Sequence, residues 1–400
     1  MRLTRAPGEE VVVGQLAHHD GRTYFEFTPA FLDSRVELSP LKLPARPGLH
    51  EHTDLAFGPI PGVFDDSLPD GWGLLLMDRH VRKQGGDPAT LTPVDRLSYL
   101  GTRTMGALTY HPPEKADQDP LVIDLQRLAE GARKVLAGHR TEVLPELLRV
   151  GGSPGGARPK ALVGVKGEEL RSGEDDLPRG FEHWLVKFNA RADGVDGGRV
   201  ELAYAHLAKA AGIDVPPVRL FETAKKGAFF GVRRFDRRPG NRRLHVHSLG
   251  GLLQANFRVP SCDYDLLLKV ARRLTHDQRA VVECFRRMIF NVVAHNQDDH
   301  VKNFAFTLDD AGAWSVSPAY DLTFSSGPGG EHQMTVAGEG RAPSRDACLT
   351  LADRHGTSRR EAEQIIDEVN EAVATWRKVA RAVGCRATRI RDVAAAHCPL

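Results

Sequence analysis

The sequence predicts an α+β protein with a mixed α/β N-terminal part and a mostly helical C-terminal part. Two observations set that division. Short apolar runs broken by Pro and Gly fill the chain up to Asp70, whereas beyond residue 235 apolar residues recur at spacings of three and four. A third observation locates the chemistry. At Asn291–Asn303, NVVAHNQDDHVKN, an apolar helix runs into a knot of acid, amide, imidazole and amine groups, and a hairpin returns Asp321 to it.

The 400 residues are enough for two or three domains with a substantial core. Hydrophobic content of 41% with 26% charged residues is that of a soluble globular chain. The 54 basic and 52 acidic residues nearly cancel, so the charge offers no global argument for nucleic acid or a membrane surface. Cys262, Cys284, Cys348, Cys385 and Cys398 are odd in number and form no CxxC pair. They read as reduced thiols rather than a disulfide framework or a zinc site. The start, MRLTRAPGEE, lacks an apolar signal core, and no run approaches the roughly 18 residues of a membrane span. A cytoplasmic protein without membrane contact is expected.

In chain order, residues 11–28 read as a β-hairpin turning at His18-His19-Asp20-Gly21. Gly71–Arg82 reads as a helix, and the Pro-rich stretch from His111 as a linker. Helices are expected over Asp124–Ala137 and Thr141–Val150, then a flexible loop Gly151–Gly156 leading to Lys160. Strands follow at Ala161–Val165 and Phe181–Phe188, separated by an exposed acidic loop. Glu201–Ala211 is a helix closed by Gly212, and Gly227–Phe235 a strand. Asp263–Leu274 is a helix, and Thr275 with Gln278 proposes a capping box for the next one. That helix carries Val281, Val282, Phe285, Met288, Ile289, Val292 and Val293 on one face. A hairpin over residues 303–317, a mobile Gly-rich loop from Ser325 to Gly340, and a long helix capped by Ser358 and ended by Gly384 complete the chain. The expected domains are 1–112, 113–235 and 236–400.

Phosphoryl transfer needs phosphates cradled, a cation to clamp them and a hydroxyl aimed in line. Three features supply these parts. The Gly151–Lys160 loop offers backbone amides and a terminal lysine, as anion nests do, although without a Walker A GK[ST] it could be a plain surface turn. Lys187, between apolar Val186 and Phe188, can reach phosphates from a strand, with Glu201 the nearest acid to fix it; the alternative is a snorkelling surface lysine. Asp298, Asn303 and Asp321 supply one base and two hard oxygen ligands for Mg²⁺, where the plain alternative is a cluster of turn residues. A zinc or two-metal reading of His295, Asp298, Asp299 and His300 lacks a third partner at ligand spacing, and no GxSxG occurs for a serine hydrolase. The expected architecture is therefore a protein-kinase-like two-lobed fold.

These residues resemble those of a known family, the HipA-type serine/threonine kinase toxins of bacterial toxin-antitoxin systems. The N-terminal part is similar in FDDSLPDGWG, Phe64–Gly73. The remainder is similar in DDHVKN (Asp298–Asn303), SPAYDLTFS (Ser317–Ser325) and GPGGEHQM (Gly327–Met334). The resemblance implies Asp298 as catalytic base, and Asn303 and Asp321 as magnesium ligands. It implies Gly155, Gly156, Ala157, Arg158, Lys160 and Lys187 on the ATP phosphates, Arg233 and Phe235 near adenine, and His300, Lys302 and Tyr320 bordering the nucleotide. Ser153 matches an autophosphorylated loop serine, whose added charge would repel bound phosphates. The phosphate loop departs from the family's G-A-Q-x-K in Arg158, with Pro159 at the variable place, and Arg233 stands where some relatives carry an acid.

The partners implied are a small helix-turn-helix antitoxin of HipB type, operator DNA through that complex, and a protein substrate such as an aminoacyl-tRNA synthetase. The basic stretch Arg377–Arg391 could touch DNA there or form a solvated helix face. Two alternatives stay open at this point: a HipA-like co-repressor with an idle kinase site, and a small-molecule phosphotransferase.

Overall fold

Alternation of inward and outward side chains builds the first hairpin: Gly14–His19 pairs with Arg22–Phe27, with Leu16 opposite Phe25. In this computed structural model, which describes residues 1–113, 122–152, 155–189, 194–223, 227–260 and 262–400, Asp20 and Gly21 both have positive φ. Positive φ at both central positions is the signature of the tight turn that matches strand twist. His18 and His19 therefore lie in the strand, not in the turn as the sequence suggested. Val11 and Val12 belong to a separate strand, Glu9–Val12, paired with Arg2–Ala6.

The chain forms two compact units. One comprises Met1–Val195, Arg219–His247 and Leu308–Gly312; the other comprises Asp196–Val218, Ser248–Thr307 and Ala313–Leu400. The first is built around a five-stranded sheet whose spatial order is Val218–Glu222, Ala228–Arg233, Glu182–Lys187, Lys160–Lys166 and Glu169–Ser172. Helices Gly71–Lys83, Leu125–Leu136 and Leu144–Gly151 bury Trp72, Leu76, Leu128 and Leu147 with Val163 and Trp184 of the sheet. The stretch expected as an exposed acidic loop contains the strand Glu169–Ser172, and Glu174 is buried. Its charge is accommodated because Arg149 meets Glu174 in an ion pair.

In the second unit the helix Gln278–Val293 is central, and Val281, Phe285, Met288 and Ile289 are fully buried. Its cap differs from the expected box. Asp277 accepts from Arg279 N, while the Thr275 hydroxyl donates back to Ala271 O. A carboxylate one residue before the helix reaches the first free N–H groups. Ser358 does cap the helix Arg359–Ala374. The single helix expected up to Gly384 instead breaks at Thr375, and Trp376–Ala382 continues beyond it. The Thr375 hydroxyl bonds Ala372 O at 2.6 Å, the back-bonding that bends helices. Among the described residues no helix is long and apolar enough to cross a membrane.

The Gly-rich segment Ser325–Gly340 is anchored rather than loose. His332, Met334 and Val336 are buried, and Met334–Thr335 pairs in parallel with Cys262–Asp263. Composition hid this because the anchors are three isolated side chains among glycines.

Candidate active site

The end of the Gln278–Val293 helix separates two adjacent aspartates by environment. Asp298 is exposed and Asp299 is 1% exposed. Asp299 Oδ2 accepts from Tyr264 Oη at 2.6 Å and lies 2.8 Å from His332 Nδ1, while Oδ1 accepts from Gln333 N at 2.8 Å. The network continues inward: Asn291 Nδ2 donates to Tyr264 Oη at 3.0 Å, and Asn296 Nδ2 to Asn291 Oδ1 at 2.9 Å. Burial together with Asp299 pushes the Tyr264 phenol well above its ordinary pKa, so it stays a donor. Four side chains from three segments thereby fix the loop on which Asp298 stands.

Asn303 closes that loop. Its Nδ2 donates to Asp298 O at 2.7 Å across the short turn Val301–Asn303. With the amide nitrogen used, the carboxamide oxygen is the atom suited to a hard cation. Lys302 lies over the Phe257 ring at 4.9 Å, His300 meets the same ring at 5.4 Å, and Tyr320 Oη donates to Lys302 O at 2.7 Å. His300 and Lys302 thus share the Phe257 ring, and Tyr320 is tied to the backbone of the same loop.

Asp321 follows the hairpin made by Ala305–Leu308 and Trp314–Val316. Its φ of 55° is the left-handed conformation, uncommon for a non-glycine residue although Asp adopts it more readily than most. The segment after it is clipped to the loop: Gln297 N donates to Ser325 O at 2.9 Å and Ser325 N to His295 O at 3.2 Å. Phe324 stacks on His295 at 5.6 Å, and Arg389 lies over Phe324 at 5.1 Å. Burial, then His332, lowers the His295 pKa, which keeps this stack neutral at physiological pH. Among the described residues no cluster of three His, Cys, Asp or Glu could hold a metal by itself. Asp321 and Asn303 nevertheless present the carboxylate and amide oxygens that magnesium takes alongside phosphate oxygens.

The other sequence-predicted residues, Glu201 excepted, lie in the first unit. Lys160 and Lys187 are directly opposed across their strands, 4% and 7% exposed. Lys160 Nζ donates to Gly155 O, and Lys187 Nζ sits 5.6 Å from the Phe230 ring. Glu201 is buried on the Gly197–Ala210 helix of the second unit. Arg233 is exposed in an ion pair with Glu182 at 2.9 Å, and Phe235 is half-buried. Ser153 lies outside the described residues.

The resemblance marks Arg233-Arg234-Phe235 as the approach to adenine, but the sequence gives no sign of the buried acid that Arg234 holds. Arg234 grips the fully buried Asp236 through two hydrogen bonds of 2.9 and 2.6 Å, and Arg237 Nη1 adds a third at 2.7 Å. Burial alone would raise that carboxyl; the two guanidinium groups outweigh it and hold the pKa well below the usual carboxylate range. Gly106 N also donates to Asp236, at 2.8 Å, tying the loop before strand Leu108–Thr109 to this pair.

Comparison with known proteins finds two domains in the chain. Residues 8–111 match the HipA N-terminal domain, and residues 152–376, more than half of the chain, match the HipA-like C-terminal domain. Y4dM of Sinorhizobium fredii, described as a candidate kinase, is 26% identical over 95% of this chain and 92% of its own length. Y4mE of the same organism, described likewise, is 30% identical over 56% of each chain. Among solved structures, HipA in a complex with HipB and operator DNA from Shewanella oneidensis superposes with a TM-score of 0.71 at 18% identity, over 99% of this chain and 94% of that one. The chain belongs to the HipA family and has its kinase-like α+β fold.

Proposed function

We propose that the protein is an ATP- and Mg²⁺-dependent serine/threonine protein kinase acting as the toxin of a toxin-antitoxin module. One observation carries the reading: Asp298 is exposed on a loop whose neighbour Asp299 is locked into a buried network, while Asn303 is bonded to the Asp298 backbone. An exposed carboxylate on an immobilised loop, flanked by hard oxygen ligands, is what in-line transfer to a hydroxyl requires. Asp298 accepts the substrate hydroxyl proton as its oxygen bonds to the γ-phosphorus, and the bond to the ADP oxygen breaks. Asn303 and Asp321 would hold magnesium, and the ion would supply neutralisation of the charge on the phosphate oxygens.

Lys187, Lys160, Arg158 and the backbone of Gly155, Gly156 and Ala157 bind the phosphates. Arg233 and Phe235 border adenine, and His300, Lys302 and Tyr320 line the nucleotide. Ser153 is the autophosphorylation site. The functional division is 1–112 for the N-terminal subdomain, 113–235 for the phosphate-loop lobe and 236–400 for the helical catalytic lobe. By analogy with the HipA–HipB–operator complex, the partner is an antitoxin of HipB type that brings the protein to operator DNA. The substrate is a translation-related protein such as an aminoacyl-tRNA synthetase.

The test is transfer of labelled phosphate from ATP to protein. Asp298→Ala and Asp321→Ala are each expected to lower it at least about a hundredfold with the melting temperature unchanged. Undiminished transfer in both refutes the assignment.

A further inference from the structure

The FDDSLPDGWG stretch has no part in the chemistry above, yet its last four residues lie against the backbone of Gly152, Gly156, Ala157 and Lys160. Asp70 stands at the N-terminus of the Gly71–Lys83 helix, where an acid ordinarily accepts hydrogen bonds from its own first turn. It makes none. Its carboxylate instead accepts from Gly156 N. Trp72 N donates to Gly156 O at 3.0 Å, so both polar groups of one glycine, whose φ is +93°, are held from the same turn. Trp72 Nε1 donates to Lys160 O at 3.1 Å, and the indole is 1% exposed in the sheet–helix core.

The packing leaves no slack. A Cβ on Gly71 would come 2.7 Å from Ala157 Cα, and one on Gly73 2.6 Å from Gly152 O. The turn therefore meets both flanks of the loop backbone to backbone, and only glycine permits the approach.

We propose that Asp70 is a positioning residue for nucleotide binding: by holding Gly156 it sets the orientation of the phosphate loop's amides, with the Trp72 indole as the fixed post behind it. This rests on the reading of Gly155–Lys160 as the phosphate loop. The opposite view makes the Asp70 carboxylate a stand-in for phosphate that must leave when ATP enters. The packing argues against it, because residues 70–73 are pinned by Trp72 and by the two glycine contacts, so the carboxylate is presented from a rigid turn.

The test compares wild type, Asp70→Ala and Asp70→Asn in the full chain, by KM for ATP, kcat and calorimetric titration with Mg·ADP. A charge-assisted hydrogen bond is about twice as strong as a neutral one. The expected series is therefore graded: KM and Kd rise about tenfold in Asp70→Ala and about threefold in Asp70→Asn, with kcat within about twofold of wild type. If Asp70→Ala folds poorly, the rise in Asp70→Asn alone decides. Unchanged or tighter binding in the variants overturns the inference, as does an equal fall in kcat and melting temperature. Wild type that binds no Mg·ADP overturns the functional reading as well, and that is read from wild type alone.

Discussion

The proposed phosphate loop of the first unit and the proposed catalytic loop of the second are held by different physical means. The phosphate loop is fixed from outside by backbone contacts: Asp70 and Trp72 grip Gly156, and glycines at 71 and 73 allow the approach. The catalytic loop is fixed from within by side chains, the chain from Asp299 through Tyr264 and Asn291 to Asn296. The first loop should therefore be sensitive to added bulk and the second to lost polarity. A backbone clamp tolerates many side chains at the loop itself, which fits the presence of Arg158 and Pro159 there. A buried network tolerates few, because each member left unpaired incurs its full desolvation cost.

The comparison breaks most visibly at Asp299. Asp299→Ala leaves the Tyr264 hydroxyl, His332 and Gln333 N without their acceptor and is expected to destabilise the protein by roughly 3–5 kcal/mol, measured by denaturant unfolding. Acid acts next. Burial, then Arg234 and Arg237, lowers the His183 pKa to about 4. The folded state thus resists a proton that the unfolded chain takes up near pH 6.5. Stability is full above that value and falls as pH drops from about 6.5 to about 4, by on the order of 3 kcal/mol for this residue. Unfolding midpoints across that range check it, and His183→Asn should flatten the dependence. The smallest effect is expected at Gly71→Ala, about 1–3 kcal/mol, because φ is +38° and the new methyl would meet the Ala157 backbone. Its distinguishing mark is weaker Mg·ADP binding without any change in the catalytic loop.

Much of the fold was legible because periodicity reports burial. The helix ending at Val293 and the strands over Ala161–Val165 and Phe181–Phe188 follow from the apolar pattern, although Lys160, read as the end of the loop, already belongs to the first of these strands. Asp298, Asn303 and Asp321 could be singled out because acids and amides at the end of an apolar helix are costly to place without a purpose. What stayed hidden depends on distance or on hydrogen bonding that composition does not encode. Asp70 is 86 residues from Gly156. The resemblance distinguishes Asp298 from its chemically identical neighbour, but the burial of Asp299 rests on its contacts with Tyr264, His332 and Gln333 N, which no composition encodes. The break at Thr375 arises from one hydroxyl inside an otherwise unbroken apolar stripe.

That pair of neighbours gives the most direct test of the account. Single-turnover phosphate transfer and melting temperature are to be measured in parallel for Asp298→Asn and Asp299→Asn. The account predicts that Asp298→Asn loses at least about a hundredfold in rate at an unchanged melting temperature, while Asp299→Asn lowers the melting temperature. A wild-type rate in Asp298→Asn, or a loss of stability there instead of at Asp299, would contradict it.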